Sequence, residues 1–243
     1  MSLISVRVDA VAAMRVSKRI KEPDPAHAAV IAELAGADGI TCHLREDRRH
    51  VRDRDLYILK EVVKSKLTVR IAPSEDLIDR IREVKPYMVT LMPPDTDDLS
   101  VASGINFDTD ADLYAVTAGM LKDAGIGICF LVNPDIEAIK AAARSKVDAV
   151  ELIASDYVNA DSMEDAESEL DRLEQMAQLA SKLGMMVNCG GGFNYRNIRP
   201  VIDLGLVEEF TIGHSIMARA LMVGLDRAVR EMVDIVHAPV PTA

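Results

Sequence analysis

The chain has 243 residues, a length that a single parallel α/β barrel of about 250 residues commonly fills. Its formal net charge of −11 argues against a nucleic-acid partner, because surfaces that bind nucleic acids are normally basic. Apolar residues make up 49% and aromatic residues 4%, so the core must consist of aliphatic side chains, which suit strands buried on both faces of a parallel sheet.

Three sequence features predict a cytoplasmic protein. The three cysteines show no paired spacing, which favours a reducing compartment over a disulfide framework. Residues 1–9 lack the charged and apolar regions of a secretory signal. No apolar run approaches the roughly 18 residues of a membrane span, so no membrane partner is expected.

Short apolar runs typical of strands alternate with longer helical patterns along the whole chain. We predict strands at residues 3–9, 39–42, 67–72, 87–92, 127–132, 149–152, 185–188 and 209–212. We predict helices at residues 25–35, 53–64, 75–84, 110–123, 134–145, 165–183, 195–204 and 214–236. Eight alternating units favour a closed parallel sheet, so the predicted fold is a single-domain (β/α)₈ TIM barrel over residues 1–243. An open doubly wound sheet is the alternative.

Proline and glycine residues set the phase of this pattern. Pro25 and Pro134 lie where helices are predicted to begin, a position at which the missing N–H costs nothing. Gly36, Gly125 and Gly184 follow the last periodic residues of three helices, where a left-handed cap suits glycine. These glycines therefore predict turns from helix to strand at the bottom of the barrel.

The second predicted strand ends at His43 and leads into a loop of dense charge. In TIM barrels, active sites lie at the carboxyl ends of the strands. An imidazole there can transfer protons near neutral pH, so His43 is a candidate acid–base group. Arg45 offers a planar fork of donors that can converge with His50 on a phosphate. The alternative interpretation is a solvated loop that binds nothing.

Glycines follow the seventh and eighth predicted strands. Three consecutive glycines, Gly190, Gly191 and Gly192, present no side chain that could obstruct a ligand. Gly213 and His214 open a helix whose first N–H groups can bind an anion. Together they predict a phosphate site, with a flexible turn as the alternative for the glycine run alone.

Charged residues also lie inside predicted strands. Arg7 and Asp9 share one face of the first strand because successive side chains alternate between faces. Arg70 and Glu151 each interrupt an apolar run, where an unpaired charge is costly. They either form an internal Arg–Glu pair that fills the barrel or take part in ligand binding.

The charged segment at residues 43–50, HLREDRRH, resembles the signature of the pyridoxine 5′-phosphate synthase family. Residues 23–25 (PDP), 35–41 (AGADGIT) and 212–214 (IGH) also fit that family, in order and at matching spacings. The resemblance covers nearly the whole chain. It implies a phosphate-binding TIM barrel with extra helices, assembled as a homo-oligomer, an octamer built from dimers, with no metal and no organic cofactor. It implies condensation of 3-amino-2-oxopropyl phosphate with 1-deoxy-D-xylulose 5-phosphate, giving pyridoxine 5′-phosphate, phosphate and water.

The resemblance also implies roles for individual residues. His43 matches the family's first general base, and Glu151 matches a carboxylate that stabilises the transition state. The positions that match ligands of deoxyxylulose phosphate are Asp9, Arg45, His50 and Ser100. Those that match the aminoacetone phosphate site are Gly192, Gly213 and His214. Lys18, next to Arg19, corresponds to a phosphate-binding arginine.

Several site positions depart from the family pattern, and three of them change the charge or the proton-transfer groups of the mouth. Arg7 replaces an asparagine, Arg70 replaces a glutamate base and Gly191 replaces a proton-donating histidine. Two of three proton-transfer groups are therefore absent, and the barrel mouth gains positive charge. One hypothesis is a divergent family member acting on a different, more anionic phosphorylated substrate, with Arg70 as its clamp. A catalytically silent binder of phosphorylated ligands is a further alternative.

Overall fold

The computed structural model describes residues 1–18, 20–94 and 103–239, with residues 17 and 18 described by their backbone alone. Parallel strands close into a barrel in the order β1 to β8. The strands are β1 (Leu3–Arg7), β2 (Gly39–His43), β3 (Lys66–Ile71), β4 (Met88–Leu91), β5 (Gly127–Val132), β6 (Ala149–Ile153), β7 (Met186–Gly190) and β8 (Glu209–Ile212). Pairing of β1 with β8, with Ser5 opposite Thr211, closes the ring. The barrel prediction is confirmed, and the open sheet is wrong.

Helices follow the strands and form the outer layer. They are α1 (Asp9–Lys18), α2 (Pro25–Leu34), α3 (Asp53–Val62), α4 (Glu75–Val84), α5 (Phe107–Asp123), α6 (Ile136–Arg144), α7 (Ser155–Val158), α8 (Met163–Lys182), α9 (Arg199–Asp203), α10 (His214–Val223) and α11 (Leu225–Val236). Among the described residues, no helix combines the length and the apolar character needed to cross a bilayer.

Several predicted element boundaries are wrong, among them those of the first strand, the last helix and helix α6. The first strand ends at Arg7, and Asp9 opens helix α1, which the sequence pattern did not reveal. The single helix predicted at residues 214–236 is two helices, because Gly224 breaks it with a positive φ of 87°. Helix α6 begins after Pro134, where Asp135 caps it by accepting from two backbone N–H groups of the first turn.

The remaining turn predictions are confirmed. Gly36, Gly125 and Gly184 have φ values of 105°, 77° and 83°, which a side chain would strain. Pro25 is the first residue of α2, and the Asp24 side chain caps that helix by accepting from the N–H of Ala26.

The barrel has two interiors of opposite character. An aliphatic core fills the layer between strands and helices and includes Cys42 and Cys189. The lumen inside the strands carries polar side chains at its middle levels; these are Ser5, Thr41, Thr68, Thr90, Glu151, Asn188 and Thr211. Cys129 lies in the lumen near the bottom with Met88, Ala149 and Met186. The lumen can therefore hold charged groups that the outer core would exclude.

Glu209 lies in the lumen at the end of the barrel opposite His43. Its side chain is 8% exposed. Burial raises the pKa of Glu209 to about 7, an effect that Lys66 opposes and that Glu151 and Asp38 reinforce. The folded protein therefore holds this proton more tightly than the unfolded chain does.

Glu209→Gln should stabilise the protein at alkaline pH. The stabilising effect of a carboxyl with a raised pKa is present below its unfolded pKa and is lost as the pH rises through its folded pKa. The free energy of unfolding of the variant minus that of the parent should increase by about 2 kcal/mol from pH 5 to pH 8. Urea unfolding at both pH values measures this gain. Glu208→Gln, at the exposed neighbouring position, is the control and should show no such pH-dependent gain.

Candidate functional site

His43 ends β2 at the carboxyl edge of the barrel and is half-buried. Its backbone N–H donates to Oδ1 of Asp9 at 2.6 Å. The other oxygen of Asp9, Oδ2, accepts from Nε of Arg7 at 2.9 Å and lies 2.8 Å from Nη2 of Arg7. Asp9 therefore fixes the end of β2 to the start of α1, and both of its oxygens already have protein partners.

The charge of Asp9 is stabilised by these same groups. Burial acts to raise its pKa, but the charges of Arg7 and His43 and the hydrogen bond from the His43 N–H outweigh burial. The pKa of Asp9 therefore lies below its ordinary value. An ionised Asp9 next to His43 favours the protonated imidazole after the histidine has accepted a proton.

Arg45 lies beside His43 at a cavity of about 160 Å³ whose lining includes both side chains. Its Nε and Nη2 donate to Oδ1 and Oδ2 of Asp47 at 3.1 and 3.2 Å. The hydrogen bond from Arg45 is the largest influence on Asp47 and, with Arg49, lowers the pKa of Asp47 to about 2. The donors of Arg45 that would bind a phosphate are thus occupied by a carboxylate of the same loop.

Arg15 and Asp55 position the far end of this loop, and the sequence analysis did not identify them. Arg15 is buried in α1 and forms a bidentate salt bridge with Asp55 of α3. Its Nη1 donates to Oδ1 at 2.8 Å and its Nη2 to Oδ2 at 2.5 Å. Nη2 of Arg15 also donates to the backbone oxygen of His50 at 3.1 Å. Asp55 accepts from the N–H of Arg52 and so caps α3. The sequence signal was an acidic residue three positions after the N-cap residue, Arg52.

Arg15→Met should destabilise the protein strongly. The substitution leaves Asp55 as an unpaired buried carboxylate, which costs about 3–5 kcal/mol of unfolding free energy. Urea denaturation measures this loss. The matched control is Arg230→Met, which removes an exposed pair with Asp226 and should leave the unfolding free energy nearly unchanged. Equal losses in the two variants would contradict the assigned role of Arg15.

Arg70 and Glu151 meet across the lumen. Arg70, on β3, donates from Nη1 to both carboxylate oxygens of Glu151, on β6, at 2.6 and 2.8 Å. Both side chains are almost fully buried. Of the two interpretations left open by the sequence, the internal pair is present, and it joins β3 to β6 across the lumen.

Two glycines make room for these charged side chains. A Cβ on Gly190 would lie 2.6 Å from Oε1 of Glu151. A Cβ on Gly213 would lie 2.8 Å from Cβ of Arg7. Both distances are far below normal carbon contacts, so glycine at these positions admits the ion pairs that line the mouth.

The other glycines of the predicted phosphate site have left-handed backbones. Gly191 has φ 107° and packs against the start of α7. A Cβ on Gly191 would lie 3.1 Å from Oγ of Ser155. Gly192 has φ 98° and approaches Val158. A histidine at position 191 would be strained in this backbone conformation. The glycine at this position therefore matches the local fold.

His214 is exposed at the first position of α10 and borders a groove of about 1020 Å³ between α1, α2 and α10. Ser215 anchors this helix start by donating from Oγ to the backbone oxygen of Phe193 at 2.7 Å. The two remaining predicted ligands cannot be placed. Ser100 lies outside the described residues, and so does the side chain of Lys18.

The structure thus brings most predicted site residues to one end of the barrel. His43, Arg7, Asp9 and Arg70 surround the top of the lumen, and Arg45 lies at its rim. Gly213, which follows the neighbouring strand β8, borders Arg7. Within the described part of the chain, no group of three metal-ligating side chains is found.

Comparison with known proteins identifies the family. Residues 4–238 match the model of the family described as pyridoxal phosphate biosynthesis protein PdxJ. The chain belongs to the PdxJ family. This match confirms the resemblance inferred from residues 43–50 and their accompanying motifs.

Relatives in the PdxJ family align along nearly their full length. The pyridoxine 5′-phosphate synthase of Geobacter sulfurreducens is 43% identical over 236 residues, covering 97% of this chain and 99% of the relative. That of Synechococcus sp. is 44% identical over 229 residues, covering 94% of this chain and 96% of the relative. Among solved structures, phosphoribosyl anthranilate isomerase from Thermotoga maritima is similar, with TM-score 0.64, 12% identity and coverage of 98% of this chain and 100% of that chain. This last likeness shows the barrel fold alone.

Proposed function

We propose that this chain is a pyridoxine 5′-phosphate synthase, which condenses 3-amino-2-oxopropyl phosphate with 1-deoxy-D-xylulose 5-phosphate in vitamin B6 biosynthesis. Membership of the PdxJ family and relatives of that name at 43–44% identity support this proposal. The observation that carries it is the placement of His43 at the barrel mouth, held by Asp9 and adjacent to Arg45.

In this proposal His43 moves the protons of the condensation. Amine addition to a ketone requires a proton to leave nitrogen and a proton to reach the carbonyl oxygen, and one imidazole can do both in turn. Asp9 orients His43 through the backbone of β2 and stabilises the imidazolium by its charge. His43 is thus the proposed catalytic residue.

Two anion sites would hold the substrates. Arg45 and His50 would bind the phosphate of the deoxyxylulose substrate, for which Arg45 must exchange Asp47 for phosphate oxygens. The N-terminus of α10 would bind the second phosphate. Gly213 is its N-cap residue and His214 its first residue. Gly192, Ser100 and Lys18 remain proposed ligands on the resemblance alone.

The ion pairs of the mouth do not favour a more anionic substrate. Arg7 is paired with Asp9, and Arg70 is paired with Glu151. Each added cation therefore has a carboxylate partner, and the expected excess of positive charge is offset. This balance is compatible with the two phosphorylated substrates of the family reaction.

Complementation of a vitamin B6 auxotroph tests the proposal. The chain should restore growth without pyridoxine, and the purified protein should form pyridoxine 5′-phosphate and inorganic phosphate from the two substrates. Failure of both assays with folded protein would refute the synthase assignment and leave the two alternatives, an enzyme acting on another phosphorylated substrate or a silent binder of phosphorylated ligands.

We also propose that the chain acts as a single-domain homo-oligomer in the cytoplasm. Exposed apolar side chains near the groove, Met14, Ile20 and Leu221, support self-association. The unpaired cysteines agree with a reducing compartment. Light scattering should give a mass at least twice that of the 26.5 kDa chain, and the mass of a single chain would contradict self-association.

A further inference from the structure

Three arginines at the barrel mouth pair with carboxylates in different ways. A guanidinium presents its Nε–H and Nη2–H bonds side by side, and this edge binds two oxygens, or one oxygen twice, most effectively. Arg7 uses the edge on Oδ2 of Asp9. Arg45 uses it on the two oxygens of Asp47.

Arg70 does not use that edge for its carboxylate. Both of its hydrogen bonds to Glu151 come from Nη1, on the other side of the guanidinium. Its Nε is buried and has no acceptor among the described residues. A buried donor without an acceptor is unfavourable, so this edge of Arg70 can bind an acceptor that the described residues do not supply.

Arg70 is also next to the proposed base. His43 and Arg70 are register partners on the adjacent strands β2 and β3, so their Cα atoms lie about 4.8 Å apart and both side chains face the lumen. A proton-transfer group beside an unused donor edge is the arrangement that stabilises charge developing on a substrate oxygen. Glu151 holds the guanidinium in place from the opposite side of the lumen.

We propose that Arg70 is a catalytic residue whose Nε–Nη2 edge stabilises the negative charge that develops on the ketone oxygen during the condensation. The inference rests on the proposed function. In the step concerned, the amine lone pair forms the new C–N bond and the C=O π pair moves to oxygen. Arg70 binds that oxygen, and His43 takes the proton from nitrogen and returns it to the oxygen. Glu151 is then a positioning residue for Arg70.

Arg70→Lys tests this role because lysine keeps the charge and a partner for Glu151 but removes the donor edge. The kcat for pyridoxine 5′-phosphate formation should fall about 100- to 1000-fold. The KM of each substrate should change by less than about threefold, since the interaction is made in the transition state. The matched control is Arg230→Lys, which alters an exposed arginine paired with Asp226 and should leave kcat unchanged.

Two further measurements separate catalysis from structure. The Lys variant should keep the parent's thermal midpoint and its calorimetric affinity for inorganic phosphate. If the Lys variant does not fold, Arg70→Met combined with Glu151→Met removes the pair without leaving a lone charge, and the same loss of kcat is expected.

Three results would overturn the inference. The first is a kcat within threefold of the parent. The second is a KM rise that accounts for the whole loss of kcat/KM. The third is a parallel loss of phosphate affinity and thermal midpoint, which would assign Arg70 a structural role. An inactive parent protein would instead refute the proposed function, so the two failures are distinguishable.

Discussion

Replacing His43 with glutamine should lower the kcat of pyridoxine 5′-phosphate formation by about 10²- to 10⁴-fold, the range that a positioned general acid–base group contributes. Glutamine keeps the approximate volume and polarity of histidine but cannot exchange protons. The backbone hydrogen bond to Asp9 is unaffected, because it comes from the main chain. Steady-state assays with both substrates measure the change.

A histidine at the other end of the barrel provides the control. His237 follows α11 and its Nε2 lies 2.8 Å from Oδ2 of Asp38, far from the mouth. His237→Gln should retain the parent's kcat at 25 °C. If His43→Gln retained it too, proton transfer would have to be assigned to another group, and the proposed mechanism would fail.

Glu151→Leu should lower the free energy of unfolding by about 3–5 kcal/mol, because Arg70 would remain in the lumen as an unpaired buried cation. The double variant Arg70→Met/Glu151→Met should recover most of this loss, since apolar residues of similar volume commonly replace a buried ion pair at little cost. Urea denaturation of the single and double variants gives both values.

An exposed pair again sets the scale. Glu137 and Lys140 lie 2.9 Å apart on the surface of α6, and Glu137→Leu should change the unfolding free energy by less than about 1 kcal/mol. A Glu151→Leu loss of the same small size would mean that water reaches Arg70 in the lumen. The pair would then be a surface pair in energetic terms.

The alternation of strands and helices was sufficient to predict the barrel. The apolar runs follow the chain order of β1 to β8, and glycines such as Gly36 mark the turns by their left-handed backbone. Helix α1 was missed because Val6 and Val8 continue the alternating pattern of the strand. The chain leaves that pattern where Asp9 binds the backbone of His43, a contact 34 residues away.

The site was predictable where its residues form an unusual local pattern or place a charge inside an apolar strand. His43 and Arg45 lie in one short segment whose pattern is chemically unusual, and they were identified from it. The partners that hold the site are remote: Arg15 is 40 residues from Asp55, and Arg70 is 81 residues from Glu151. The lone charges in two apolar strands indicated the second pair as one of two interpretations, but no local pattern indicated the first, since its geometry depends on barrel closure.

The burial of the three cysteines makes them probes of motion. Burial raises the pKa of each thiol, so thiol reagents, which need an accessible thiolate, can react only when the surrounding structure opens. Cys129 faces the lumen, whereas Cys42 and Cys189 face the helical layer. The labelling rate of Cys129 would report opening of the barrel itself. The labelling rates of Cys42 and Cys189 would report detachment of helices. The native chain thus carries its own reporters for separating these two movements.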